Sequence, residues 1–125
     1  MASDNAYQKA LFATNSGDVS IDGPDMENLH HRGGHFVIDI DTIAGTAPTA
    51  TFTVQGKDAN GNYYTLLAST ALNAAGVTVL KIYPGLVVAA NAAANDVVPR
   101  HYRVIMTKGG TVTFLTFNVS VALVK

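Results

Sequence analysis

Short runs in which apolar and polar residues alternate constrain this chain most, because a period of two places successive side chains on opposite faces of a β-strand. Residues 35–41 alternate strictly, and residues 49–55 repeat the pattern. One face of each run is therefore expected to be buried and the other to be wet or half-exposed. The positions expected to face the core are Phe36, Ile38, Ile40, Ala50, Phe52 and Val54.

Turn signals divide the rest of the chain into further strands. Asn60-Gly61 is the strongest short-range hairpin signal, so residues 62–67 are expected to return antiparallel to residues 49–55. Another strand is expected at residues 77–82, before Pro84-Gly85. Residues 89–96 are alanine-rich but lack a long apolar stripe, which favours a loop crossing one end of the fold.

The last quarter of the chain is expected to hold two strands. Residues 100–107 form the first, and Lys108-Gly109-Gly110 is expected to turn the chain into the closing strand, residues 111–124. Val112 and Phe114 fall on one face of the closing strand, whereas the apolar residues from Phe117 onward have the opposite parity. This switch predicts a bulge or two-sided burial near residues 115–117.

These elements predict an all-β protein, an antiparallel β-sandwich of jelly-roll or immunoglobulin-like kind with an extended N-terminal arm. The sandwich domain is expected to span residues 35–125 and the arm residues 1–34. With little apolar material, the arm either adds an edge strand to its own sandwich or reaches a neighbouring subunit. The residues expected to make its contacts are Tyr7, Leu11, Phe12, Val19 and Ile21.

Charge is scarce in this sequence. Charged residues are 14% of the chain and hydrophobic residues 48%, whereas ordinary globular proteins have about 25% charged residues. Such a chain is either a weakly charged monomer or, in the favoured interpretation, a subunit packed against other proteins. A net charge of −1 gives no support to nucleic-acid binding or anionic membranes, and no apolar stretch approaches the ~20 residues of a membrane span.

Reactive groups are also scarce. There is no cysteine, which excludes disulfides, thiolate nucleophiles and cysteine zinc sites, and no secretory signal is expected. Glu27 is the only glutamate, and no paired carboxylates, nucleophile with a base or phosphate-binding glycine loop can be proposed. We therefore expect neither an enzyme nor a cofactor.

One histidine cluster has metal-ligand chemistry. His30, His31 and His35 lie within six residues, but Arg32-Gly33-Gly34 opposes the helix that would align the last two. Solvated loop histidines are favoured over a metal site. Residues 58–62 resemble the start of a calcium loop without its later glycine and glutamate, and a tight hairpin explains them better.

Aromatic and basic residues offer two further alternatives. Tyr63 and Tyr64 could stack on a sugar together with loop asparagines, although as neighbours on a strand they point to opposite faces. Arg100 and Arg103 are the nearest approach to a basic patch with aromatics, but they too fall on different faces. A structural strand explains the arginines better than nucleic-acid binding does.

Six segments of the chain carry a resemblance to known proteins: residues 31–33, 44–49, 54–58, 63–67, 82–86 and 95–100. Through these segments the chain, from about Gly33 to Val124, resembles a group of small β-rich proteins encoded by tailed bacteriophages and prophages, often sited among virion-structural genes. Residues 52–67 and 100–104, with Tyr64 near the place of a tryptophan, carry a looser resemblance to discoidin-type carbohydrate-binding jelly rolls.

The phage resemblance implies a virion component. Our leading hypothesis extends this to a protein made in the host cytoplasm and located on the capsid surface, where it decorates or cements the shell. The partners expected on this hypothesis are the major capsid protein and copies of itself, as a homo-oligomer for which a trimer is the natural guess. The alternatives are a carbohydrate- or host-surface-binding module of the virion, and a neck or tail subunit.

Overall fold

Two very long antiparallel strands organise the molecule, whose computed structural model describes residues 6–16 and 20–125. They pair with each other along almost their entire length, and shorter strands flank them. The strands are β1 Ala6–Ser16, β2 Ile21–Asp22, β3 Met26–Glu27, β4 Gly33–Lys57, β5 Tyr63–Ala68, β6 Gly76–Ile82, β7 Ala93–Ala94 and β8 His101–Val124.

Simple dimensions require the β4–β8 ribbon to fold over. A strand of 25 residues would extend about 80 Å at ~3.3 Å per residue, whereas a 125-residue domain has a radius of gyration of only about 14 Å. The ribbon bends at its middle, where the register shifts repeatedly between Ala44 and Thr49. Ala47 and Gly110 have positive φ angles of 48° and 63° at this bend.

The two halves of the folded ribbon face each other across the core. The rings of Phe52 and Phe117 meet edge to face with centroids 5.1 Å apart, and those of Phe36 and Tyr102 do so at 5.8 Å. β1, β6 and β7 extend one half of the sheet, whereas β2, β3 and β5 extend the other. The result is the predicted all-β, sandwich-like fold, built from one curled sheet that is antiparallel except where β6 pairs with β7.

Most strand predictions are confirmed. The six side chains expected to face the core in residues 35–41 and 49–55 are at most 2% exposed. The hairpin turn is present, with the Gly61 amide donating to the Asp58 carbonyl at 3.1 Å. Residues 89–96 contain the two-residue β7 within a loop.

The prediction for Lys108-Gly109-Gly110 was wrong. These residues do not turn the chain back, because β8 runs through them as one continuous strand and only bends. A bulge is present nearby, since Ala44 pairs with Phe114 but Gly45 pairs with Val112. The bulge leaves Phe114 46% exposed, so it does not share the buried face of Val112.

The segment predicted as an N-terminal arm supplies three strands. β1, β2 and β3 all pair with β8 of the same chain, so the described residues take the first of the two alternatives, an edge on their own sandwich. Within the described part of the chain, no helix is long and apolar enough to cross a membrane.

Candidate interaction surface

The ends of both long strands meet at one end of the sandwich. Gly33 pairs with Val124 at one end of the β4–β8 ribbon, and Lys57 pairs with His101 at the other. Because the ribbon is folded in half, these two ends lie at the same end of the sandwich. Loops 28–32, 58–62 and 83–100 leave the strands at this end. The loop end is therefore the place where separate parts of the sequence can form one surface.

Four apolar side chains on these loops are exposed to solvent, and we call them the apolar loop residues. Val87 is 88% exposed and Val88 68%, in a stretch from Pro84 to Asn95 that contains no charged residue. Single exposed apolar residues are ordinary, but adjacent ones in an uncharged loop are typical of contact surfaces. The apolar loop residues are Leu29, Val87, Val88 and Val97.

A buried asparagine holds two of these loops together. Asn28 is 6% exposed, and its side-chain amide donates to the His31 carbonyl at 2.7 Å and to the Val98 carbonyl at 2.8 Å. Its side-chain oxygen accepts from the His31 amide at 3.0 Å. Because a buried amide needs partners, these bonds fix the positions of Leu29 and Val97 on either side.

A charged network lies beside the loop end, on the outer face of β4, β5 and β8. The Tyr63 hydroxyl donates to both carboxylate oxygens of Asp25, at 2.7 and 2.9 Å, and Lys57 Nζ lies 2.9 Å from the same carboxylate. The Arg103 guanidinium stacks on the Tyr63 ring, 3.6 Å from its centroid, and its Nε donates to Gln55 at 2.8 Å. The network thus ties the segment containing Asp25 to the sheet.

The network also sets the ionisation of Asp25. The hydrogen bond from Tyr63, followed by that from Lys57, holds the pKa of the Asp25 carboxyl below its ordinary value. Bonding to the same carboxylate raises the pKa of Lys57. Since the pKa of Asp25 is lower in the folded chain, its contribution to stability is present above the unfolded pKa of about 3.9 and is lost as pH falls through the folded value.

We expect Tyr63→Phe to move the titration of Asp25 upward, because it removes the largest cause of the lowered pKa. The side-chain carboxyl ¹³C chemical shift, followed by NMR from pH 2 to 6, gives the midpoint directly. Tyr64→Phe is the matched control, because Tyr64 is the next residue on β5 and is not among the groups that lower the pKa of Asp25. An Asp25 midpoint that is the same in both variants would show that the Tyr63 hydroxyl does not set this pKa.

The structure does not bring the three candidate histidines together. His30 and His31 line a depression of about 190 Å³ with Leu123, whereas His35 lines a different one of about 290 Å³ with Lys81 and Tyr83. Among residues 20–125, no group of three or more potential ligands could hold a metal. The calcium-like residues 58–62 form a turn, in which the Asp58 side chain accepts from the amides of Asn60 and Asn62.

The described residues of the N-terminal arm that the sequence predicted to make contacts lie on two strands, β1 and β2. Tyr7 and Phe12 pair in register with Leu123 and Val119 of β8, and Leu11 falls at the register shift between Ala10 and Phe12. Ile21 is half-buried opposite Met106 and packs against the core of its own chain. Val19 lies outside the described residues.

The two tyrosines considered for sugar stacking are engaged in the fold. Arg103 covers one face of the Tyr63 ring, and Asp25 takes its hydroxyl. Tyr64 is 43% exposed, and its ring lies over Gly56 beside Pro99, so that a Cβ at Gly56 would be 2.6 Å from Tyr64 Cζ. The contact with Arg103 thus occupies a face of Tyr63 that sugar stacking would need.

Sequence reasoning missed the apolar loop residues and Asn28. The signal for Val87 and Val88 was available, because the uncharged stretch around them is visible in the sequence. No local sequence pattern predicts that Asn28 is buried, since its hydrogen-bond partner Val98 lies 70 residues away.

Comparisons with known proteins give a likeness in fold. Searches with the sequence find no matching family and no matching curated protein. One solved structure that matches, of the Gx strain of infectious bursal disease virus, has a chain with a TM-score of 0.50 and 13% identity; the match covers 94% of this chain and 31% of that one. A second, of the Gt strain, has a TM-score of 0.46 and 12% identity, covering 98% and 34%. The present chain thus spans about a third of the length of each.

Proposed function

We propose that this chain is a structural protein of a tailed-phage virion, and specifically a capsid decoration or cement protein. The observation that carries the proposal is the pair of exposed valines, Val87 and Val88, in an uncharged loop that begins at one end of the sandwich. The likeness to a chain of a virus structure supports a virion role for such a fold. The tailed-phage part of the proposal extends the resemblance stated for residues 33–124.

The proposed mechanism is passive. The apolar loop residues contact the major capsid protein, and copies of the chain contact one another, so that the shell is held by many modest contacts. Full burial of one valine side chain contributes about 1.5–3 kcal/mol, and repetition over a lattice makes such contacts collectively strong. The protein acts on the capsid surface after its synthesis in the host cytoplasm, and the mechanism requires no reaction or cofactor.

Introducing charge into the loop is expected to abolish decoration. In Val87→Lys/Val88→Lys, two lysines would have to be buried against the shell, and we expect affinity for particles lacking the protein to fall at least tenfold, about 1.4 kcal/mol. Co-sedimentation of purified protein with such particles measures this affinity. The fold should be unaffected, because both side chains are exposed.

Val77→Lys is the matched control for this loop. Val77 is 65% exposed on β6, so it resembles Val88 in exposure but lies on a strand. We expect it to bind particles as the unmodified chain does. Equal binding by the loop variant and the unmodified chain would show that the loop is not the contact surface.

A further inference from the structure

A single edge of the molecule is covered by the N-terminal strands. β1 pairs with residues 115–124 of β8, β2 with residues 105–106 and β3 with residues 101–102, all antiparallel. β4 takes the opposite edge of β8 throughout. The strands before residue 28 thus follow one edge of β8 from its end to its beginning.

The section formed by β2 and β3 is held weakly. Each strand has two residues, and in residues 20–27 only Ile21 and Met26 are described as packing against the core. Besides the backbone bonds and the Tyr63 hydrogen bonds to Asp25, three carboxylates make ion pairs, and such pairs at the surface contribute little. The pairs are Asp22 with Arg103, Asp25 with Lys57, and Glu27 with Arg100.

The edge of β8 that pairs with β2 and β3 requires a partner strand. Tyr102, Val104 and Met106 are about 1% exposed, so the inner face of β8 belongs to the core. Its outer edge bonds the N-terminal segment through backbone groups, for example from the Gly23 amide to the Val104 carbonyl at 2.9 Å. An uncovered edge of this length would pair with another strand.

The N-terminal segment of a second copy is an occupant that fits this edge. The same segment of a second copy would reproduce the register, the backbone bonds and all three charge pairs without any new complementarity. Exchange requires the connection through residues 28–32 to open. Opening breaks the hydrogen bonds that Asn28 makes to Val98 and Arg100 within one copy, and the same bonds can form on the neighbouring copy.

We propose that in the assembled state β1, β2 and β3 of one copy pair with β8 of a neighbouring copy. The inference rests on the proposed function, since a lattice holds copies side by side. In a free chain the N-terminal segment is tethered to its own β8 at an effective concentration of ~mM, so in dilute protein it pairs with its own copy. On a shell the β8 edges of neighbouring copies are also held close by, so the segment can pair with either.

Paired cysteines test the exchange, because the chain has no cysteine of its own. Glu27 and His101 are direct cross-strand partners, so Glu27→Cys/His101→Cys can form a disulfide between β3 and β8. Within one copy the bond keeps a monomer, whereas after exchange it links two copies. Asp22→Cys/Ile105→Cys provides a second pair of the same kind, between β2 and β8.

The variants are oxidised on purified particles and free in solution at low and high concentration, then separated by denaturing electrophoresis without reductant. We expect monomers from dilute protein, and linked dimers or larger species from particles and from concentrated protein, a roughly tenfold rise in the linked fraction. Lys57→Cys/His101→Cys is the control, since it joins β4 to β8 and stays within one chain in either state.

Monomer bands from both β8-edge variants on particles would overturn the exchange while leaving the proposed function intact. If no chain is found on particles, the proposed function fails, and the concentrated free protein decides the exchange alone. Linked dimers there support it, and monomers there overturn it.

Discussion

Phe117→Ala is expected to lower the free energy of unfolding by about 3–5 kcal/mol, the usual cost of removing a buried phenylalanine. Phe117 is fully buried, and its ring meets that of Phe52 across the fold of the ribbon. The alanine would leave a cavity between the two sheet halves, which cannot close without moving β4 or β8. Urea denaturation followed by far-ultraviolet circular dichroism measures the loss.

Phe114→Ala is the matched control on the same strand. Phe114 lies three residues away and is 46% exposed because of the bulge, so its truncation should cost less than about 1 kcal/mol. Equal losses in the two variants would contradict both the described bulge and the position of the core.

Gly110→Ala is expected to destabilise the bend strongly. Gly110 has a φ of 63°, and a Cβ there would lie 2.0 Å from the carbonyl oxygen of Ala47. Backbone strain of this kind costs about 1–3 kcal/mol, and the collision with a backbone atom adds to it. The drop in melting temperature, measured by calorimetry, reports the combined effect.

Gly61→Ala separates strain from collision. Gly61 also has a positive φ, 87°, but a Cβ there would meet nothing within 4 Å. Its substitution should cost only the conformational strain, about 1–2 kcal/mol. If Gly110→Ala destabilised the protein no more than Gly61→Ala does, the close approach of Gly110 to Ala47 would be refuted.

The strands could be predicted where their information is local. The alternation in residues 35–41 and 49–55 is a pattern of neighbouring residues, and the turn at Asn60-Gly61 is likewise determined by adjacent residues. The bend in β8 could not be recognised, because two glycines permit either a turn or a bend. What decides between them is the matching irregularity in β4 near Ala47, more than 60 residues earlier.

The interaction surface was harder to predict than the strands. Scarce charge indicated a protein that packs against others, but the residues involved depend on which loops the folded ribbon brings to one end. The pairing of Ile21 with Met106 likewise depends on tertiary structure, since an edge strand carries no signal for its partner. For that reason the sequence left open whether the N-terminal strands lie on their own sandwich.

Locating the chain in a purified virion by cryo-microscopy tests the central claim most directly. A decoration protein should appear on the outer surface of the shell, in a copy number set by the capsid lattice, with Val87 and Val88 facing the major capsid protein. Density confined to a single ring at the neck or tail, or absence of the chain from the particle, would contradict the proposed role.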